Sequence, residues 1–249
     1  MEVLVIIGLS ITAAVVGFFA AMVGSGSGLI LVPLLILAGL SPVQAIAVHK
    51  FEALWTVVSG LRYWKSKQLL TLDFPWYLVL GSVGTFFGTA YIHFIPNTIL
   101  QIIVGVAIVL VACLMIFFHR HSQPREVKMW KRVVLVLSMP IFGLYEGTFG
   151  SGNGFFIAAL FFGLIGSDEI KTVGMITVLA AFWNIIATVT HLEFGSLLFR
   201  YALPIGTGSM IGAYFGAGYA ITSGKEFVRK IIIAIALLGG AVMLFSALW

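Results

Sequence analysis

The feature that most constrains this chain is the length of its stretches without charge. Between Val3 and Val48 no side chain is acidic or basic. Further uncharged stretches cover residues 74–118, 147–167, 172–190, 201–224 and 231–249. One membrane-spanning helix takes about 20 apolar residues, so the first stretch must hold more than one element. Only 9% of the residues are charged, against about 25% in a typical soluble domain. The sequence therefore predicts an all-α, multi-pass membrane protein.

The few charges indicate how the chain is oriented. The net charge is +5, and the basic residues lie in short connections, above all 62–73 and 119–132. The positive-inside rule places both connections on the cytoplasmic side of the membrane, which is interpreted as a bacterial or archaeal inner membrane. This pattern points to a lipid bilayer and not to nucleic acid. Cys113 is the only cysteine, which excludes an internal disulfide. Because Glu2 stands where a signal peptide would be basic, the first segment is interpreted as mature protein.

Two glycine-rich stretches interrupt the apolar sequence. They are loop 1, residues 24–28, and loop 2, residues 150–154. Each glycine costs a helix about 1 kcal/mol relative to alanine, and inside a bilayer the freed backbone groups have no water to bond. An apolar segment too short to span follows each loop, at 28–40 and at 154–166. Whether the segments before and after each loop both span or form a re-entrant hairpin is left open.

The second half of the chain repeats the first. Gly17–Gly28 aligns with Gly143–Gly154. The segments of the first half are predicted at 3–23, 28–40, 41–64, 74–94 and 99–118. Those that follow loop 2 are predicted at 154–166, 168–190, 201–221 and 227–247. The domains are a first repeat at 1–118, a cytoplasmic link at 119–132 and a second repeat at 133–249. An odd number of segments predicts that the second copy is inverted across the membrane.

Inverted repeats with matched broken segments predict a transport site near the bilayer midplane. A helix that begins after each loop presents free N–H groups and its positive dipole end, which favour an anion. The predicted substrate-binding residues of the loops are Gly24, Ser25, Gly26, Ser27, Gly28, Gly150, Ser151, Gly152, Asn153 and Gly154. The alternative interpretation is a glycine hinge or close helix packing.

Ionisable residues at membrane depth are further candidates. Lys50 either binds the anionic substrate or forms a structural ion pair with Glu52 or Glu146. Glu146, before loop 2, relays protons or accepts hydrogen bonds from the loop. His49 and Glu52 are added as tentative proton-coupling residues, and interhelical hydrogen bonding is the simpler role for His49 and Asn184. The sequence contains no motif for a metal, a cofactor or an enzyme, and none of these is expected.

These motifs resemble the TauE/SafE family of membrane transporters over nearly the whole chain. The resemblance rests on Val23–Pro33 and on Gly143–Phe156, and His49–Glu52 is similar to a family segment written Asn-Lys-x-Gln. It implies export of sulfite or small organosulfonates. The chain departs from the pattern at His49 and Glu52, and at Thr177, where the family has a second lysine.

The sequence as a whole predicts a transporter that exports a small sulfur-containing anion and is not an enzyme. An importer or channel with the same site is the alternative, and an intramembrane enzyme is a distant one. Ladders of small residues at Gly84/Gly88 and at Gly208/Gly212/Gly216 indicate close helix packing, within the chain or in a homodimer.

Overall fold

The computed structural model describes residues 2–23, 26–58, 73–117, 128–165 and 169–222, with 237, 241, 244 and 245. Within the runs from 2 to 222 it has nine helices and no strand. They are α1 (Glu2–Val23), α2 (Ser27–Leu37), α3 (Pro42–Trp55), α4 (Phe74–Ile92), α5 (Asn97–Phe117), α6 (Met129–Thr148), α7 (Asn153–Ile165), α8 (Glu169–Glu193) and α9 (Phe199–Thr222). The all-α prediction is confirmed.

Most of the predicted segments match these helices closely, whereas the segment predicted at 41–64 is interrupted after Trp55, where α3 ends. With 11 and 13 residues, α2 and α7 are roughly 16–20 Å long at 1.5 Å per residue. A bilayer core is about 30 Å thick, so neither crosses it alone. Helix α6 begins at Met129, inside the predicted link. The predicted last segment, 227–247, and most of the connection at 62–73 lie outside the described residues.

Local sequence sets the turn between α2 and α3. Gly39 adopts a φ of 95° after α2, and the Leu40 N–H donates to the Leu35 carbonyl at 3.1 Å. This left-handed end suits glycine, which has no Cβ to clash. Ser41 then caps α3 in a capping box with Gln44, and Pro42 occupies the first turn. The helix thus begins where the segment predicted at 41–64 begins.

The glycine ladders let helices from different halves pack backbone to backbone. In α4, a Cβ at Gly84 or Gly88 would run into backbone atoms of α6 at Pro140 and Leu144. The ladder of α9 meets the backbone of α1 in the same way, at Ser10, Ala14 and Phe18. Close packing of these ladders within the chain is therefore confirmed, and a homodimer stays a prediction.

The described helices of the two halves repeat one set of contacts. Helix α1 packs on α9 as α6 packs on α4, and α3 packs on α9 as α8 packs on α4. The short helices do the same, since α2 contacts α1 and α3 while α7 contacts α6 and α8. The fourth helix of each half thus packs into the other half, and α3 and α8 meet between them. That the second copy is inverted stays a prediction.

The outer surface is apolar, as a lipid environment requires. Large side chains such as Ile11, Phe87 and Ile141 are 60–69% exposed, and exposed apolar surface on this scale marks contact with lipid or protein. Two described helical stretches, Leu4–Met22 and Gly174–Glu193, are long and apolar enough to cross a membrane. Polar side chains, in contrast, cluster inside the protein, at the N-terminal ends of α2 and α7.

Candidate functional site

The described parts of the two glycine loops meet inside the protein. Gly28 packs so closely against loop 2 that a Cβ on it would collide with Ser151 Oγ and His49 Nε2. Gly26 has a φ of 113°, a left-handed conformation that L side chains rarely adopt. The short helices α2 and α7 therefore begin next to each other. Each presents the N-terminal end of its backbone to the same space.

A cavity of about 90 Å³ lies at this meeting point. One water needs about 10–15 Å³ measured this way, so a small anion has room. The cavity is lined by residues from both halves: Ala20, Ala21, Gly26, Ser27, His49, Ala53, Thr56, Glu146, Gly150, Ser151, Gly154, Ile176, Thr177, Ala180 and Asn184. Its walls combine small side chains with hydroxyls, an amide, an imidazole and a carboxylate.

Hydrogen bonds hold loop 2 in place. The Tyr145 hydroxyl donates to the Ser151 carbonyl at 2.9 Å. Asn153 reaches back from the start of α7, and its Nδ2 donates to the Phe142 carbonyl and to Glu146 Oε2, both at 3.0 Å. Gly150, at a φ of 76°, leaves no space for a Cβ. These bonds fix the serine hydroxyl and the start of α7 relative to α6.

Lys50 forms a buried ion pair with Glu146. Its Nζ lies 2.9 Å from Glu146 Oε1, and Lys50 is fully buried. It is not among the residues that line the cavity, whereas Glu146 is. Of the alternatives that the sequence left open for Lys50, the structure contains the ion pair with Glu146. Because Lys50 is fully buried and lies outside the cavity lining, a direct contact between Lys50 and an anion requires the site to rearrange.

His49 stands at the centre of a second polar chain. Its Nδ1 lies 2.9 Å from Glu52 Oε2, and its Nε2 lies 3.2 Å from Ser151 Oγ. Ser27 of α2 also donates to Glu52 Oε2, at 3.3 Å. The other carboxylate oxygen, Glu52 Oε1, is buried and has no hydrogen-bond partner in the described part of the chain. Four side chains from three elements thus connect loop 1 to loop 2.

The charges of the site do not by themselves attract an anion. Ionised Glu52 and Glu146 outnumber the single cation of Lys50, and both are almost completely buried. A neutral His49 leaves a net charge of −1, and a protonated His49 brings it to zero. Thr177, which lines the cavity, adds no charge. A proton on His49 therefore removes the net negative charge of this group of side chains. In the described residues, no cluster of His, Cys, Asp or Glu has the makings of a metal site.

The predicted loop residues fall into four groups. Gly26, Ser27, Gly150, Ser151 and Gly154 line the cavity. Gly28 and Asn153 support it through the contacts above. A Cβ at Gly152 would instead meet Val111 of α5, and Gly24 and Ser25 lie outside the described residues.

Sequence reasoning underestimated three positions on α3 and α8. Thr56, Thr177 and Asn184 all line the cavity. Asn184 donates to the Ala180 carbonyl within its own helix at 2.7 Å, and its Oδ1 is buried without a described partner. The available signal was the presence of hydroxyl and amide groups inside apolar helices, where each needs a polar partner.

Comparisons with known proteins identify the family of the chain. A family model described as "Sulfite exporter TauE/SafE" matches residues 9–243. A "Probable membrane transporter protein" of Haemophilus influenzae is 25% identical over 239 residues, 94% of each chain. The "Probable membrane transporter protein YfcA" of Escherichia coli K12 is 24% identical and covers 94% of this chain and 88% of its own. YjnA of Bacillus subtilis, with the same description, is 25% identical, covering 90% of this chain and 94% of its own. No solved structure matches significantly.

Proposed function

The chain is a membrane transporter of the TauE/SafE sulfite exporter family, and from this premise we propose that it exports sulfite or a small organosulfonate. The observation that carries the proposal is the cavity between the two glycine loops, where α2 and α7 begin side by side. We place the protein in the inner membrane as a multi-pass chain, in accord with its uncharged stretches.

The cavity offers an oxyanion three kinds of contact. Backbone N–H groups at the starts of α2 and α7 carry the positive ends of two helix dipoles. Ser27 and Ser151 add hydroxyl donors, and Gly26, Gly150 and Gly154 let the anion approach the backbone. Lys50, which lies outside the cavity lining, compensates the negative charge of Glu146. A sulfonate or sulfite presents three oxygens to such donors, so this donor set favours it.

Export also agrees with the driving force. For an anion that crosses without a proton, a membrane potential, negative inside, favours exit by about 2.3 kcal/mol per charge per 100 mV. An importer or a channel built on the same cavity remains the alternative. Flux measured in both directions under an imposed potential separates export from import. The dependence of flux on substrate concentration separates a transporter from a channel, since a channel shows no saturation with substrate.

An intramembrane hydrolase is the second candidate, because one observation favours it. The order of the contacts is that of a serine–histidine–acid triad. Ser151 Oγ lies 3.2 Å from His49 Nε2, and His49 Nδ1 lies 2.9 Å from Glu52 Oε2. We nevertheless propose a non-enzymatic role, since the relatives are named transporters. Labelling of Ser151 by a fluorophosphonate, abolished in Ser151→Ala, would support the hydrolase instead.

Counterflow in proteoliposomes tests the proposal. Radiolabelled sulfite or methanesulfonate should exchange against the unlabelled anion and be recovered chemically unchanged. Gly28→Ala, which crowds the cavity wall, should lose exchange, whereas Gly8→Ala should keep it, because a Cβ at Gly8 meets no atom within 4 Å. Absence of exchange with sulfite, sulfonates, sulfate and carboxylates alike contradicts anion transport.

A further inference from the structure

We propose that the anion crosses together with a proton, and that His49 and Glu52 hold this proton. The Ser151 hydroxyl couples the proton to the anion by changing its hydrogen-bond partner. The inference rests on the proposed function and deepens it. It also moves the main proton site away from Glu146, the carboxylate nearest to loop 2 in the sequence. Its basis is the different hydrogen bonding of the two buried carboxylates.

Glu146 is poorly placed to carry a proton. Both of its oxygens are occupied, Oε1 by the Lys50 ammonium and Oε2 by the Asn153 amide. Protonation of Glu146 would leave the fully buried Lys50 without its counter-ion. An unpaired charge at such depth is strongly unfavourable. Glu146 is therefore expected to stay ionised while the transporter works.

The pair of His49 and Glu52 is open to a proton. Glu52 is fully buried, and its Oε1 has no partner among the described atoms. A buried carboxylate with an unsatisfied oxygen is poorly stabilised as an anion, so added positive charge beside it is favoured. Imidazole is the side chain that titrates in the physiological range. His49 also lines the cavity, which gives a proton a path to it.

Proton uptake reverses the hydrogen bond between His49 and Ser151. In neutral His49 the Nδ1–H donates a hydrogen bond to Glu52, so Nε2 has a lone pair. This nitrogen accepts a hydrogen bond from the Ser151 hydroxyl across 3.2 Å. After one proton binds Nε2, that nitrogen donates to Ser151 Oγ. The serine hydrogen must then turn to another acceptor, and Ser151 lines the cavity.

One proton thus makes two changes that favour an anion. It brings the charge of His49, Lys50, Glu52 and Glu146 from −1 to zero. It also turns a hydroxyl donor from the imidazole toward the cavity. Because both changes follow from the same proton, the structure favours a ratio of one proton to one monovalent anion. Such a pair carries no net charge, so the membrane potential does not drive it. Export coupled in this way follows the outward concentration gradient of the anion.

Other titratable groups near α3 offer a competing origin for any pH dependence. Of the helices packed on α3, α2 has no titratable side chain and α5 has Cys113. Helix α9 has Arg200, Tyr201, Tyr214 and Tyr219. Helix α8 has Glu169 and Lys171 at its start, and His191 and Glu193 in its last turn. His191 Nδ1 lies 3.1 Å from His93 Nε2, just after α4. Burial lowers the pKa of His93, so this histidine resists protonation. His93→Asn is therefore the matched control.

The experiment uses methanesulfonate, which stays ionised across the physiological range, so that any pH dependence belongs to the protein. In proteoliposomes, wild-type flux should rise roughly tenfold from about pH 8 to about pH 6, since each anion needs one proton. A pH gradient alone should drive uphill accumulation. His49→Asn combined with Glu52→Gln keeps polar, uncharged groups of similar shape, and should lose both effects. His93→Asn should keep both.

A measurement on the unchanged protein guards against loss of folding in the variant. In weakly buffered detergent solution near pH 7, binding of methanesulfonate should remove close to one proton per anion from solution. Flux without pH dependence or proton uptake overturns this inference and leaves anion transport intact. A pH dependence lost in His93→Asn overturns it too. Absence of flux for both methanesulfonate and sulfite overturns the proposed function itself.

Discussion

Replacing Lys50 with methionine tests how the site is held together. Methionine keeps much of the side-chain volume and removes the charge. Because Lys50 Nζ lies 2.9 Å from Glu146 Oε1 and both residues are buried, the change leaves a carboxylate without its cation. Breaking a buried pair from one side costs about 3–5 kcal/mol. At about 2–4 °C per kcal/mol for a chain near this size, the melting temperature should fall by about 6–20 °C.

A double variant separates the pair from simple loss of packing. Glu146→Gln added to Lys50→Met removes the stranded charge, and the glutamine oxygen still accepts the Asn153 amide. Replacing both partners of a buried pair is often neutral, so the double variant should recover most of the lost stability. Thermal unfolding in detergent, followed by tryptophan fluorescence, is measured for Lys50→Met, for Glu146→Gln alone and for the double variant. The three shifts give the coupling energy of the pair.

Two results would refute this reasoning. If Lys50→Met melts within about 1 °C of the wild type, the ion pair contributes nothing measurable. Lys50 would then be free to serve the anion directly, and a loss of anion affinity in this folded variant would show that it does. If the single and the double variant are equally unstable, the cost lies in packing around Lys50 and not in the charge.

Three further predictions concern packing, the cavity and topology. Gly28→Ala should lower anion flux several-fold with little change in melting temperature, since its Cβ displaces the Ser151 hydroxyl; an equal loss of folded protein would indicate a structural role instead. Gly212→Leu should destabilise the protein by about 1–3 kcal/mol in thermal unfolding, because its side chain forces α1 and α9 apart. Unchanged stability would contradict the backbone contact between these helices. Cysteines introduced at Lys128 and Lys225 should react with impermeant reagents from the cytoplasmic side alone, and reaction at 225 from outside would exclude the inverted repeat.

The sequence was sufficient for the fold class and for the bounds of most elements. Uncharged stretches predicted helices, and Ser41-Pro42 and the glycine loops marked where helices begin or end. These signals are local, because a cap, a break or an apolar stretch acts within a few residues of itself. The two matched loops also predicted where a site would form.

Tertiary structure decided how the halves interlock. The sequence suggested two successive repeats divided near 119–132, yet α4 packs on α6 and α8, and α9 packs on α1 and α3. Glycine ladders predict that some backbone approaches closely, but they carry no information on which helix it is. The partner follows from the arrangement of the whole bundle.

The roles of the ionisable residues also required the structure. Lys50, His49 and Glu52 are neighbours on one helix, and the sequence offered Lys50 two carboxylate partners at different distances along the chain. Only the folded protein assigns Lys50 to Glu146 and His49 to Glu52 and Ser151. The physical reason is that a side-chain hydrogen bond depends on positions known to a fraction of an ångström. Such positions are set by every helix around α3, whereas the sequence alone determined that polar groups at this depth must find partners.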